Sequence, residues 1–423
     1  MENMRKKIKP LLVIVMIFII GGTLGYFYSQ KIVLKSESLK VSKSESLEVE
    51  SNKYVLFVDE VFGLIKDNYW NVLTEEQLAK VFVLATEKIT NQPNGIKVES
   101  RAEVMKMIEG VLKNYDTEEK KNQFCGILAD MVLSNLEPFG RSRLYTIKEE
   151  KALSDNVNNK NPTVDRYQEL GVSKEASQTA IAEAFKKKPE AKEAYKVLSD
   201  PEAKKVYDLS GSEPTIDYKL LSPKVFYMHI IKFSPLTVDE LTRVTNKTDK
   251  TDANALIIDL RDNVGGAIDG LPYFLGPFIG NDQYAYQFFH QGVKDDYKTK
   301  TGWLPGLVRF KKVVVLINKG TQSTAELMAA TLKKYNVGVL MGETSKGWGT
   351  VEKVFSIKQQ ISDSEKYSVF LVHSLTLRDD GLPVEGKGVE PVIAMTDPQW
   401  KKRLMEYFNF SDLVTAVEEV WKE

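Results

Sequence analysis

Apolar positions run unbroken near the start of the chain and then settle into helical and strand-like rhythms. Residues 11–28, LLVIVMIFIIGGTLGYFY, carry no charge, and about 18 apolar residues just suffice to cross a hydrocarbon core. Arg5, Lys6, Lys7 and Lys9 precede the run, and basic flanks stay in the cytoplasm. The pattern predicts a single-pass membrane anchor within residues 1–28, with a cytoplasmic N-terminus and the bulk of the chain outside the cytoplasm. A cleaved signal peptide or a buried core helix would also give an apolar run. The run is longer than a usual signal-peptide core and no clean small-x-small site follows, which favours an uncleaved anchor. Residues 29–52 show neither period and repeat KSESL at 35–39 and 43–47. Such polar sequence buries no core and predicts a flexible spacer, two copies being too few for a solenoid.

Helical periodicity follows. Val55, Val58, Phe62 and Ile65 lie at helix-face spacing, and RAEVMKMIEGVLKNY and KKNQFCGILADMVLSNL keep the rhythm, so residues 53–155 read as an all-α cap. Residues 164–211 form a separate small helical module, in which Ser177 stands as an N-cap and Pro189 breaks the helix it opens. Between 215 and 396, the strand-length runs KVFYMHIIKF, ALIIDLR, KVVVLIN and NVGVLMG alternate with helical TVDELTRVTNK, AIDGLPYFLGPFI and TAELMAATLKKY. Buried strands separated by helices predict an α/β domain, layered on a mostly parallel sheet. TVEKVFSI and YSVFLVHSLTL flank polar KQQISDSEK and predict a β-hairpin folded about Ser362. Residues 397–423 read as a helical tail.

Composition narrows the function. Lys plus Arg and Asp plus Glu both number 58 in the 423-residue chain, so no polyanion is implied and nucleic-acid binding is disfavoured. Cys125 is the only cysteine, which excludes an intramolecular disulfide framework. The histidines, His229, His290 and His373, have no metal-binding spacing. No metal or cofactor is expected.

Three features could carry chemistry. DLRDNVGG ends a buried strand on Gly265 and Gly266, where a ligand could approach backbone N–H groups; a plain strand-to-helix turn would look the same. NKGTQSTAEL opens a helix at Ser323 after the strand VVVLI. A serine there lies beside free N–H groups and the positive dipole end, but Ser323 with Glu326 also fits a capping box, the favoured reading of this feature alone. GETSKGWGTVE, with the hairpin behind it, gathers Lys346, Trp348, Glu352 and His373.

Taken together, LIIDLRDNVGG, VVVLINKGTQSTAEL, VGVLMGETSKGWGTVE and LPVEGKGVEPVI resemble the C-terminal processing peptidases, or tail-specific proteases, over about residues 220–396. LFVDEVFGLIKDNYW and LSNLEPFGRSRLYTIKEE extend the likeness weakly into the helical cap. The resemblance implies a serine endopeptidase acting on protein or peptide substrates, with Ser323 as nucleophile and oxyanion donors on the backbone at Gly265 or Gly266 and at Thr324. It puts the expected catalytic lysine on Trp348 and its supporting glutamine on Glu352. Residues 164–211 resemble a J-domain through YQELGVSKEAS and AYKVLSDPEAKKVYD. They lack the His-Pro-Asp signature, which argues against an Hsp70 partner, and they stand where the family usually carries a PDZ domain.

An indole N–H only donates, so Trp348 cannot take the serine proton. Lys346 is one replacement base, two residues away. His373 oriented by Glu352 is the preferred one, since the hairpin puts residue 373 opposite 351 and a carboxylate strengthens a histidine base. The alternative is a pseudopeptidase that binds peptide tails without cutting, with Trp348 as a cleft wall.

Overall fold

The computed structural model describes residues 45–422 apart from 94, 96, 249, 250 and 379, with side chains from Lys53 onward. The expected anchor and most of the expected spacer lie outside the described residues. Asn52–Glu423 forms one compact unit.

Helices α1 (Glu45–Asn68), α2 (Glu75–Thr90), α3 (Arg101–Leu112) and α4 (Glu118–Ser134) come first. Thr74, Ser100 and Thr117 cap α2, α3 and α4 with their hydroxyls, each worth about 1 kcal/mol. Phe57, Phe62, Leu78, Ile108 and Leu128 from these helices share one core. The region is not all-helical: β1 (Arg143–Thr146) precedes α5 (Ile147–Val157). A four-residue strand is too short to show its period against helical neighbours.

Four short helices follow, α6 (Arg166–Leu170), α7 (Gln178–Lys187), α8 (Lys192–Ser199) and α9 (Pro201–Ser210). They enclose Tyr167, Leu170, Ile181, Ala194, Val197 and Leu198. Asp165, Ser177 and Asp200 cap three of them, and Gly171 and Gly211 end two in left-handed conformations.

The remaining elements are β2 (Ile216–Ser222), β3 (Val225–Ile230), α10 (Thr237–Thr248), β4 (Ala255–Asp259), α11 (Leu271–Ile279), β5 (Tyr284–His290), β6 (Val293–Lys298), α12 (Pro305–Val308), β7 (Lys312–Ile317), α13 (Thr324–Lys334), β8 (Val339–Gly342), β9 (Thr350–Ser356), β10 (Tyr367–Leu377), β11 (Ile393–Ala394), α14 (Trp400–Phe408) and α15 (Ser411–Lys422). One sheet has the order β11-β8-β7-β4-β3-β2. It is parallel except for the antiparallel edge pair β2–β3. Successive side chains point to opposite faces. Met228, Ile258 and Val315 therefore pack with Phe274 and Met328, while Tyr227, Ile257 and Val314 pack with Leu404, Leu413 and Val417. Cover on both faces is why these strands read as unbroken apolar runs.

A second, antiparallel sheet runs β1-β10-β5-β6, with β9 also paired to β10. Its β5–β6 hairpin turns at Gln291 and Gly292, both at positive φ, the conformation a two-residue hairpin turn requires. The β9–β10 hairpin pairs Ser356 with Ser368, centred on Ser362, up to Glu352 with Val372. The register then slips by one, so that Val351 faces Ser374 and His373 is the extra residue of a bulge.

Ile257, fully buried in the parallel sheet, should lose about 2–5 kcal/mol of stability on replacement by alanine. Leu209→Ala, at a side chain that is 79% exposed, should change it by under ~0.5 kcal/mol. Urea denaturation of both variants checks this; equal losses would contradict the burial assigned here.

Candidate active site

Strands β4 and β7 are parallel neighbours, Ile258 facing Val315 and Asp259 facing Leu316. The segments leaving their carboxyl ends therefore lie side by side, where ligands gather in open α/β sheets. Asp262 and Asn318 exchange hydrogen bonds at 3.0 Å, and the Thr321 hydroxyl donates to the Leu260 carbonyl at 2.8 Å. Gly265 has φ +92°, and a Cβ there would come within 2.8 Å of Ser323 Cβ. Only glycine lets the two segments touch.

Ser323 begins α13 with φ 53° and ψ −122°, a conformation costing on the order of 1–3 kcal/mol in a non-glycine residue. Its N–H donates to Glu326 Oε2 at 2.8 Å, and the Glu326 N–H donates to the Ser323 carbonyl at 2.9 Å. Ser323 and Glu326 thus form the capping box expected from the sequence, its carboxylate half the better made, while the hydroxyl faces the Glu326 N–H without the geometry of a hydrogen bond. The hydroxyl is left for other work.

Backbone donors surround it. The Gly265 N–H is already taken by Asn263 Oδ1 at 2.8 Å. The Gly265 carbonyl accepts from the Phe233 N–H, and a planar trans peptide then turns the Gly266 N–H the opposite way. The Ser323 carbonyl faces down α13 toward the Glu326 and Leu327 N–H groups, which leaves the Thr324 N–H pointing out of the helix start. Neither the Gly266 nor the Thr324 N–H takes an acceptor among the described residues. Two such donors beside a serine hydroxyl can hold a developing oxyanion.

The third segment, Glu343–Gly349, is fastened to the serine turn by Glu326. This carboxylate is fully buried. It accepts from Ser345 Oγ at 2.6 Å, the Gly347 N–H at 2.7 Å and the Trp348 N–H at 2.8 Å, besides Ser323. Burial pushes the Glu326 carboxyl up from its ordinary range, and these donors pull it back. Read from sequence as a cap alone, Glu326 joins two parts of the site; its spacing three residues from Ser323 was the only signal available.

The predicted bases fare differently. The Lys346 N–H bonds the Thr321 carbonyl at 3.0 Å, which keeps that residue beside the serine turn, and its exposed side chain takes no partner among the described residues. The Trp348 indole lies under the Arg141 guanidinium, 3.3 Å from ring centre to Arg141 Cζ, and its Nε1 reaches Glu352 Oε1 at 3.4 Å. Arg141 also pairs with Glu385 at 2.9 Å. Glu352 accepts from Thr350 as well, and burial raises its carboxyl above the usual range.

The expected His373–Glu352 pair does not form. The bulge gives Glu352 to Val372 and sends the His373 ring to other partners, Ser374 Oγ at 2.8 Å and Lys353 Nζ at 3.3 Å. It stacks on His290 with ring centres 4.1 Å apart. Burial, with Lys353 and His290 beside it, pulls its pKa down to about 4. Among the described residues no group of three or more His, Cys, Asp and Glu could hold a metal ion.

Residues 224–395 match the model of Peptidase family S41. Curated relatives carry the same likeness. The carboxy-terminal processing protease CtpA of Bacillus subtilis (strain 168) is 31% identical over 176 residues, 41% of this chain and 36% of that protein. CtpB of the same organism is 28% identical over 184 residues, 43% of this chain and 36% of that protein. The chain thus spans about a third of the length of these relatives. Among solved structures, the photosystem II D1 C-terminal processing protease superposes with a TM-score of 0.48 at 14% identity, covering 81% of this chain and 93% of that chain. A lipoprotein from Streptococcus agalactiae gives 0.43 at 12% identity, covering 88% and 98%.

The depressed His373 pKa has a thermodynamic consequence. Between about 6.5, the ordinary value, and about 4, the unfolded chain binds a proton there that the folded chain does not. Stability contributed by neutral His373 is therefore lost as pH falls through that window. His373→Gln should lose less melting temperature than wild type between pH 6.5 and 4.5. The raised carboxyls of Glu326 and Glu352 act with opposite sign but cancel in the comparison. Parallel pH profiles would contradict the burial of this ring.

Proposed function

We propose that residues 215–396 form a serine-type peptidase site acting on protein and peptide chains, with Ser323 as nucleophile and the Gly266 and Thr324 N–H groups receiving the oxyanion. The observation that carries the reading is the strained Ser323 backbone, which holds a hydroxyl with no hydrogen bond, and two N–H donors with no acceptor, among the described residues. Lys346 is the better base, reversing the preference for His373. The Lys346 side chain has no partner among the described residues and its own backbone bonds the serine turn, whereas both His373 ring nitrogens are occupied and its partner is a lysine rather than a carboxylate.

A second reading has its own support. Trp348 stands where the family resemblance puts the lysine, and the Arg141 stack with the Glu385 pair holds it there. In that reading the cleft binds peptide tails without cutting, with Trp348 as its wall. We further propose that residues 11–28 anchor the chain with its bulk extracytoplasmic, on the basic flank and uncharged run. The module at 164–211 serves as a structural insertion rather than an Hsp70 partner, its signature loop being missing.

Cleavage of a denatured protein substrate decides between the readings. For the peptidase, Ser323→Ala abolishes turnover and Lys346→Ala lowers it by several orders of magnitude, while His373→Ala leaves most of it. Full activity in Lys346→Ala with loss in His373→Ala would restore the histidine base. A wild type that never cuts but binds unstructured peptides would establish the pseudopeptidase.

Protease added to spheroplasts should digest the region after residue 52. Its protection would refute the orientation.

A further inference from the structure

We infer that Asn263 is the positioning residue that sets the spacing between the two oxyanion donors, an inference that rests on the peptidase reading. Its side chain is fully buried and spends both polar ends on backbone. Asn263 Nδ2 donates to the Ile230 carbonyl at 2.7 Å, and Oδ1 accepts the Gly265 N–H at 2.8 Å. Its own carbonyl accepts the Gln322 N–H at 2.9 Å. One residue thereby ties the end of β3, the glycine pair and the residue before the nucleophile.

Each bond has a separate effect. The Ile230 bond fixes Asn263 to the end of β3 in the parallel sheet. The Gly265 bond consumes the donor that would compete with Gly266, and orients the peptide preceding the Gly265–Gly266 unit. With the Gly265 carbonyl held by Phe233, that unit is fixed at both ends, and its N–H keeps one direction. The Gln322 bond, made to the Asn263 main chain, ties the residue before Ser323 to the same segment. Without the side chain, Gly265 and Gly266, both at positive φ, regain the freedom glycine has elsewhere, and a donor that must be pre-aimed at a developing charge becomes mobile.

The prediction separates positioning from mere support. The reaction of Ser323 with a fluorophosphonate places a phosphoryl oxygen between the two N–H groups and needs no polypeptide turnover. Asn263→Ala should slow this labelling about a hundredfold, the scale of losing one oxyanion donor. Binding of an unstructured peptide to the Ser323→Ala background should change less than threefold on adding Asn263→Ala. Asn263→Asp supplies a second measure should the alanine variant fail to fold. Its protonated acid can both donate to Ile230 and accept from Gly265, but its carboxylate cannot donate, so its labelling rate relative to wild type should rise as pH falls, at constant folded fraction. Labelling within threefold of wild type in both variants, or equal loss of labelling and peptide binding, would overturn the inference alone. A wild type that the probe never labels at Ser323 would overturn the peptidase reading and the inference with it.

Discussion

A buried carboxylate with no cationic partner among the described residues holds the site together. Both oxygens of Glu326 are filled, Oε1 by Ser345 and Gly347 and Oε2 by Ser323 and Trp348. An ionised carboxylate offers about four acceptor positions and every donor here needs one. Its negative charge sits at the start of α13, where the helix dipole favours it. Deleting the group would strand two buried donors, Ser345 Oγ and the Gly347 N–H, each costing about 1–3 kcal/mol, and two half-buried ones, the Ser323 and Trp348 N–H groups. The unusual backbone of Ser323 and the path of Glu343–Gly349 are tolerable because this one side chain fixes both.

The helical region before residue 155 belongs to the same construction. Arg141 leaves it just ahead of β1, stacks on Trp348, pairs with Glu385 and lies close enough to Glu352 to oppose the rise of its carboxyl. Guanidinium over an indole face is among the more favourable cation–π arrangements. The indole face at position 348 is thus covered by a cation that a distant part of the chain supplies.

Much of the α/β core was legible because strands covered on both faces leave a simple record. KVFYMHIIKF, ALIIDLR, KVVVLIN and NVGVLMG contain β3, β4, β7 and β8, and the helices between them carry clear 3.6-residue stripes. The second sheet was less legible. YAYQFFH and VKDDYK flank a Gln-Gly pair, weaker than the usual Asn-Gly signal, and β1 borrows its register from a strand far along the chain. Ser323, Thr324 and the pair Gly265 and Gly266 were singled out through the family resemblance, which did not choose between the two glycines; the Gly265 N–H is taken by Asn263. The direction of N–H groups and the two-sided role of Glu326 were not, since these depend on which carbonyls neighbouring segments present. The His373 register failed through a single added residue, and bulges leave no mark in a hydrophobic pattern.

Strand β10 pairs with β1, β5 and β9, and its Val369 and Leu371 complete the core of the first four helices. During synthesis those helices emerge more than 200 residues before the strand that closes them. At about 5–20 residues per second the delay is on the order of ten to forty seconds. Through that interval the nascent chain displays an unfinished apolar face, so the helical region waits for a strand made long afterwards before its own core can close.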